Sequence, residues 1–553
     1  MKLKTSRWII LGIAACVLIA IGAYLWTTQL MDSIFAYRSP LHDAPPAPGE
    51  SLGPPLTRRV VFVLIDALRD DTSQRADVMP FLNELRQRGA WATMHSRPPS
   101  YSEPGYSVLL TGAWPDVSDG PTINVDYEEI PTWTQDDLFS AAHRAGLETA
   151  VAGYYWFEKL IPQSAVSASF YTPGEDQIAD RAVVDAALPW LTAGGYPFVL
   201  IHIDQVDYAG HHEGGPIEPR WDAAARRADD LLREIASTLD LSQDTLLVCS
   251  DHGQIDRGGH GGQDPITLVE PFVLVGAGVT PGRYDEVDMV DVAPTLAALL
   301  GANIPASSQG HVRTEMLALT SKQRSSLQAA TLAQQARLAE AYGAAIGRSV
   351  AVRPGDDVVT VTQAALDEAR SNRLNAERWP RVVVALIVAL VPAIVLFKKR
   401  GQAAAWLLIG AVLYLVMFNA RYAVIDGRTY SLSSVIDATD VILYCAITAL
   451  IALGLSWLIV SIGLGAFKRG ARAASETTLA LTLTVVYLLT LPVLAHFALN
   501  GALVTWALPD FLSAFLAFLS LTQMLMVAAL GLVFTAVAAL IASFITKSVP
   551  QQG

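Results

Sequence analysis

Three aspartates and three histidines follow apolar runs in this chain at spacings that suit a metal centre. Asp66 ends RVVFVLID, Asp207 and His211 lie in DYAGH behind PFVLIHI, Asp251 and His252 lie in SDHG behind TLLVC, and His260 follows in GGHGG. Five of the ten histidines fall between positions 202 and 260. Carboxylates mixed with neutral imidazoles form the donor set of Zn²⁺ or Mn²⁺, and six such side chains are enough to hold two divalent ions. Taken singly, an aspartate at a strand end is more often a helix cap, and a histidine in a glycine-rich loop is usually solvated. Gly210, Gly253, Gly258, Gly259, Gly261 and Gly262 shift that balance, because they allow tight backbone turns beside the donors.

A two-metal site needs a reacting group. The segment PPSYSEPGYSVLLTG at 98–112 places Ser100 and Ser102 in a proline-rich turn before an apolar, helix-like stretch. A hydroxyl at such a helix start can ligate a metal, lose its proton and attack phosphorus, while backbone N–H groups receive the oxyanion. In isolation either serine reads equally well as an N-cap.

The elements that would position these groups are legible from the runs that precede them. RVVFVLI at 59–65, PFVLIHI at 197–203, TLLVC at 245–249 and PFVLV at 271–275 are short continuous apolar runs of the kind buried in a parallel sheet, with helical patterns between them. An α/β layered domain with a mostly parallel sheet is expected over 58–320. In open parallel sheets ligands gather beyond the carboxyl ends of the strands, where these polar residues fall. Residues 31–57, with six prolines between 39 and 57, read as an extended tether, and 321–379 as an Ala-, Gln- and Glu-rich helical connector.

Composition supplies the setting. The chain has 553 residues, 52% hydrophobic against 16% charged, with mean hydropathy +0.35, which excludes an ordinary soluble domain and a disordered chain. Residues 1–30 carry +3 and residues 381–553 carry +5, so the total of −13 leaves −21 on residues 31–380, an acidic segment unsuited to nucleic acid. Cys16, Cys249 and Cys445 lie too far apart for a CxxC site or a disulfide framework. Residues 8–26 form an uncharged run behind Lys2, Lys4 and Arg7, and read as an uncleaved anchor within a 1–30 segment because the run continues past the cleavage-like box ending at Cys16. Further apolar runs at 381–397, 402–420, 438–466, 478–499 and 511–546 give a transmembrane bundle of about five helices over 380–547. The last run is long for one span and suits an interfacial helix followed by a span. Basic residues follow the first of these runs (Lys398, Lys399, Arg400), the third (Lys468, Arg469, Arg472) and the last (Lys547), with Asp426, Asp437, Asp440 and Asp510 in the alternate turns. The positive-inside rule then predicts six spans, both termini cytoplasmic and residues 31–379 outside the cytoplasm. Within the runs His496 and Pro492 are read as the sole polar or kinking features, which argues against an ion-coupled transporter. The alanine-rich composition and compact loops point to a bacterial inner membrane and a periplasmic or extracellular domain.

Together VFVLIDALRDD, PSYSEPGYSVLLTG, IHIDQVDYAGH, SDHGQIDRGGHGG and DVAPTLAALLGANIP, from about 59 to 305, resemble the alkaline phosphatase superfamily. Within it they resemble the type I phosphodiesterase/nucleotide pyrophosphatase group and most of all the GPI ethanolamine phosphate transferases. The resemblance implies an alkaline-phosphatase-like domain in which Asp66, Ser102, Asp251 and His252 hold one ion and Asp207, His211 and His260 the other, with Ser102 as nucleophile. It implies Asn124 as a donor to a phosphate oxygen. Tyr106 stands where the family commonly has histidine and Gln254 where it commonly has methionine; neither is a ligand, and both point to a different substrate pocket.

The expected function is a membrane-bound phosphotransferase that moves a phosphoethanolamine-type group from a phosphatidylethanolamine-like phospholipid to an extracytoplasmic glycan or lipid acceptor through a Ser102 intermediate. The same site with water as acceptor would be a phosphodiesterase or nucleotide pyrophosphatase. A sulfatase is disfavoured because the nucleophile turn lacks a CxPxR pattern. The non-enzyme alternative is a degenerate membrane scaffold that binds a lipid or glycan headgroup.

Overall fold

A computed structural model of the chain describes residues 7–352, 357–397, 401–435 and 437–547. Lys2, Lys4, Lys398, Lys399 and Arg400, which entered the orientation argument, lie outside the described residues. The chain divides into two compact units, Ile34–Arg373 with Thr505–Leu508, and Met1–Ser33 with Leu374–Val504 and Pro509–Gly553.

The first unit is built on one sheet. Its strands are β1 (Arg59–Ile65), β2 (Ala90–His95), β3 (Thr149–Tyr154), β4 (Ala168–Thr172), β5 (Phe198–Ile203), β6 (Asp244–Cys249), β7 (Val269–Gly276), β8 (Gly282–Arg283) and β9 (Val287–Asp288). They run in the order β4-β3-β5-β1-β6-β7-β2-β8, with β9 also on β2. β4, β3, β5, β1 and β6 are mutually parallel, and β7 alone runs against its neighbours. The four strands expected from apolar runs are β1, β5, β6 and β7, so the mostly parallel α/β class holds.

The period of the central strand explains why the sheet is covered on both sides. Val60, Phe62 and Leu64 enter one core while Val61, Val63 and Ile65 enter the other, and all seven residues of β1 are buried. At about 1.5–3 kcal/mol for each large apolar side chain removed from water, this strand alone supplies a large share of the domain's stability. Register then does the positioning. Ile65 pairs with Ile203 and Leu64 with Cys249, so Asp66, Asp204 and Asp251 leave the sheet at one level of its carboxyl edge.

Residues 34–57 are held along the domain by hydrogen bonds instead of running as a free tether. Arg38 Nε donates to Asp119 Oδ1 at 3.0 Å, Leu52 N to Gly301 O at 3.0 Å and Leu56 N to Leu299 O at 2.8 Å, and Leu41 is fully buried. The connector likewise joins the domain. Its first helix, Ser321–Ala345, sends Gln334 Nε2 to Ala306 O at 2.9 Å and Gln335 Nε2 to Ser308 O at 3.0 Å. These contacts are long-range and polar, so composition alone could not reveal them.

In the second unit, five helices among the described residues are long and apolar enough to cross a membrane: Arg7–Phe35, Ala403–Ile425, Thr439–Gly463, Ala471–Asn500 and Phe511–Thr546. The expected span at 381–397 is the end of an unbroken 40-residue helix, Val358–Phe397, and is not one of the five. The final run is one continuous helix, Phe511–Lys547, without a break into interfacial and spanning parts. Leu18, Ile462 and Phe544 stay 69%, 64% and 71% exposed, which water would oppose and lipid favours. His496 and Pro492 are not the only polar or kinking features, since buried Tyr414 donates its hydroxyl to Gln523 Oε1 at 3.1 Å between two of these helices.

Candidate active site

The carboxyl edge of β1, β5 and β6 and the start of one helix bring together all seven residues expected to act on metal. Asp66 is 1% exposed. Its Oδ2 accepts from Tyr106 Oη and lies 2.9 Å from His202 Nε2, whereas its Oδ1 has no hydrogen-bond partner among the described residues and lies 3.4 Å from His252 Nε2. Asp251 repeats the pattern: Oδ1 accepts from Ala67 N at 3.2 Å, and Oδ2 is buried, unpartnered and 3.4 Å from the same His252 Nε2. Ala67 holds that N–H in place at φ 58, a strained value for a residue with a Cβ.

Ser102 opens the helix Ser102–Thr111, and its Oγ lies 3.1 Å from His252 Nε2. Ser100 is used otherwise. Its Oγ donates to Gly262 O at 3.0 Å, meets Thr267 Oγ1 at 3.0 Å and accepts from Gly261 N at 3.0 Å, while its carbonyl faces His260 Nδ1 at 2.9 Å. Geometry therefore gives Ser102 the open hydroxyl and Ser100 the task of bracing the loop that carries His260.

Asp207 and His211 share the helix Gln205–His212 at i and i+4, with Asp207 Oδ2 3.4 Å from His211 Nε2. His260 Nε2 stands 2.8 Å from His211 Nε2 and 3.6 Å from Asp207 Oδ1, and the His260 ring stacks on that of His252 at 4.0 Å. The two donor groups are thus contiguous. Two glycines permit this approach: a Cβ on Gly210 would sit 1.8 Å from Gln254 Oε1, and one on Gly258, at φ +81, would sit 1.9 Å from Gly210 O.

The donor atoms fit divalent cations. Asp66 Oδ1 and Asp251 Oδ2 are buried acceptors left open toward one imidazole nitrogen, a costly arrangement that a cation would satisfy. Burial, then the Asp66 charge, pushes the Asp251 carboxyl well above its ordinary range, a repulsion that bound positive charge reverses. Burial, followed by the neighbouring His252, holds His260 well below the usual imidazole range, so it is neutral and able to donate a lone pair.

Asn124 lies beside the nucleophile, its Oδ1 accepting from Glu103 N at 3.1 Å, which leaves its amide NH₂ as a donor with no protein acceptor among the described residues. Glu103 is completely buried, and burial pushes its carboxyl up to about 9, so it adds no negative charge next to Ser102 at neutral pH. Its Oε2 accepts from Val125 N at 3.2 Å and so ties down the loop of Asn124. Glu103→Gln is therefore expected to unfold within about 2 °C of the parent. Glu103→Ala, which strands the Val125 N–H and opens a cavity, should lose about 1–3 kcal/mol in thermal unfolding.

Several positioning residues escaped the sequence reading. His202 and Tyr106 orient Asp66, with Tyr106 Oη 3.0 Å from His202 Nε2, and Gln254 Nε2 donates to Asp207 Oδ1 at 2.7 Å. A histidine inside the otherwise apolar PFVLIHI run was a visible signal, and Tyr106 and Gln254 were visible as departures, though their contacts were not. Asp180 gave no signal at all. From the helix Gln177–Ala193 it accepts from Asp204 N at 2.8 Å and Gln205 N at 3.1 Å, fixing the start of the helix that carries Asp207 and His211. Asp180→Ala would leave two buried N–H groups unpaired, at about 1–3 kcal/mol each, and is expected to weaken metal binding about 10- to 100-fold. Urea unfolding and zinc titration check the two effects separately.

Residues 60–268 match the family model for type I phosphodiesterase / nucleotide pyrophosphatase. The human GPI ethanolamine phosphate transferase 2, catalytic subunit, is 30% identical over 48% of this chain and 29% of its own length, and the mouse GPI ethanolamine phosphate transferase 3, catalytic subunit, is 27% identical over 49% and 26%. The chain thus spans less than a third of the length of these two relatives. Human ectonucleotide pyrophosphatase / phosphodiesterase 5 superposes with a TM-score of 0.38 and 14% identity over 44% of this chain and 95% of its own. Residues 60–268 thus match type I phosphodiesterase / nucleotide pyrophosphatase, and about half of the chain is similar to the GPI ethanolamine phosphate transferases.

Proposed function

We propose that the protein is a metal-dependent membrane phosphotransferase that moves a phosphoethanolamine-type group from a phosphatidylethanolamine-like phospholipid to an extracytoplasmic glycan or lipid hydroxyl. The observation that carries this reading is the placement of Ser102 Oγ 3.1 Å from His252 Nε2, beside the unpaired Asp66 Oδ1 and Asp251 Oδ2. Asp66, Ser102, Asp251 and His252 would hold one divalent ion and Asp207, His211 and His260 the other, with zinc favoured by the nitrogen and carboxylate donors. Such ions, when bound, supply positive charge to the attacking and leaving oxygens of an in-line displacement.

The chain's own groups do the rest. Ser102 Oγ forms a bond to phosphorus as the bond from phosphorus to the diacylglycerol oxygen breaks, and the serine proton ends on the departing diacylglycerol. The acceptor hydroxyl then attacks phosphorus, the Oγ–P bond breaks, and Ser102 regains a proton. The Asn124 amide NH₂ is available to donate to a phosphate oxygen throughout. Five long apolar helices support a donor drawn from the bilayer. The reading includes an extracytoplasmic catalytic domain and cytoplasmic termini in a bacterial inner membrane.

Water as acceptor would make the enzyme a phosphodiesterase, a second reading favoured by the phosphodiesterase/pyrophosphatase family match. Mass spectrometry of the full chain incubated with phosphatidylethanolamine and Zn²⁺ tests the lipid donor that the first reading requires. A phosphoethanolamine adduct on the Ser102 peptide supports transfer from lipid. Cleavage of a soluble aryl phosphodiester without that adduct favours the hydrolase.

A further inference from the structure

Beside the seven donors stands a carboxylate that no described residue satisfies. Asp204 follows β5 with its backbone N–H on Asp180, but among the described residues no N–H or O–H group donates to its side chain, although it is only 6% exposed. A carboxylate so placed and without a donor is open to a positively charged or donor-rich partner. Ligand atoms of Asp66, His202 and Asp204 lie within 4.8 Å of one another. A third metal ion would find few free donors there, because Asp66 Oδ2 already takes Tyr106 Oη and stands 2.9 Å from His202 Nε2, the ring nitrogen that also faces Tyr106. Of the two carboxylates, Asp66 already accepts from Tyr106 Oη, whereas Asp204 accepts from no described group.

Its surroundings suit an organic cation. Burial, then the negative charges of Asp66, Asp207, Asp180 and Glu175, push the Asp204 carboxyl well above its ordinary range, a repulsion that a bound cation relieves. Glu175 Oε1 accepts from Tyr154 Oη at 2.6 Å, and the Tyr154 ring lies 4.7 Å from that of Tyr155 and 4.9 Å from that of Trp156. Carboxylates with aromatic faces attract ammonium groups, and a carboxylate without a donor favours an ammonium that still has N–H bonds. Asp66 connects this corner to the reacting serine. Its Oδ1 faces His252, which touches Ser102 Oγ, and its other oxygen lies on the side of His202 and Tyr106.

We infer that Asp204, backed by Glu175 and the Tyr154 ring, recognises a primary ammonium group on the ester substituent of the phosphorus that Ser102 attacks. The inference rests on the proposed function only for the placement of phosphorus at Ser102. It makes Asp204 a specificity residue that selects an ethanolamine-type group over an uncharged one of the same length.

Isothermal titration of the zinc-loaded full chain with phosphoethanolamine and with ethyl phosphate, which lacks the ammonium, tests it. The parent protein should bind phosphoethanolamine about 10- to 100-fold more tightly than ethyl phosphate, and Asp204→Asn should bring that ratio close to one by weakening phosphoethanolamine alone. Glu175→Gln should narrow the ratio in the same direction, and it carries the test if Asp204→Asn does not fold. Equal binding of the two compounds by the parent, or a ratio unchanged in the variants, overturns the inference. So does loss of a zinc equivalent from Asp204→Asn by elemental analysis, which would make Asp204 a ligand. A preserved ratio in a chain that never transfers from phosphatidylethanolamine would sink the lipid-donor reading while leaving the ammonium site standing.

Discussion

Ser102→Ala is expected to lower turnover of any phosphodiester substrate by about four to six orders of magnitude, while the fold stays close to that of the parent. The fold tolerates the change because, among the described residues, Ser102 Oγ has a single hydrogen-bond partner, His252 Nε2, and its helix draws no side-chain cap from Tyr101. Alanine is moreover the best helix former, so the stability cost should stay within about 1 kcal/mol. Ser100→Ala should behave in the opposite way. Its hydroxyl joins Gly262, Thr267 and Gly261, so its loss should destabilise the loop behind His260 by about 1–3 kcal/mol and reduce activity only through that loop. Steady-state rates on an aryl phosphodiester, with circular dichroism and elemental analysis on the same samples, decide the matter. Residual activity above about 1% in Ser102→Ala would remove Ser102 as the nucleophile.

The contrast between these two serines marks how far the sequence carries. Hydroxyl type and the proline-rich turn are local features, and both are legible. Which hydroxyl stays open depends on Gly261, Gly262 and Thr267, more than 150 positions away along the chain, and local patterning holds no trace of such contacts. The same division holds for the fold. Continuous apolar runs reveal β1, β5, β6 and β7 because strands buried on both faces must be apolar throughout, and the donors after them are legible because they interrupt those runs. Direction is another matter: β7 pairs antiparallel with β6 although its run looks like the others, since direction follows from the connection between strands and not from strand composition. The proline-rich segment misleads for a related reason. Proline removes N–H donors and favours extended chain, which describes a free tether and a strap hydrogen-bonded to Gly301 and Leu299 equally well. Asp180 and Glu103 lie at the far limit, buried acids whose purpose is visible only once the N–H groups they accept from are in place.

Removal of the metal ligands should separate catalysis from stability. In the parent protein, chelation is expected to lower the melting temperature, because ions that bind only the folded state stabilise it by about 4 kcal/mol when present at a thousandfold above Kd. The His252 imidazole is central to both donor groups. Its Nε2 lies 3.4 Å from Asp66 Oδ1 and from Asp251 Oδ2, and its ring stacks on His260 at 4.0 Å. Loss of His252 together with Asp251 should therefore release about two ions per chain instead of one, and abolish turnover. Asp251→Asn alone should show a crossover. With zinc it should be less stable than the parent, having lost an anionic ligand. Without zinc it should be the more stable of the two by about 1–3 kcal/mol, because the amide removes the repulsion between Asp66 and Asp251 that burial intensifies. Calorimetric melting of both proteins, with zinc and with a chelator, reads the crossover directly. Parallel curves under the two conditions would mean that Asp66 and Asp251 do not share a cation, and the two-metal reading would have to be abandoned.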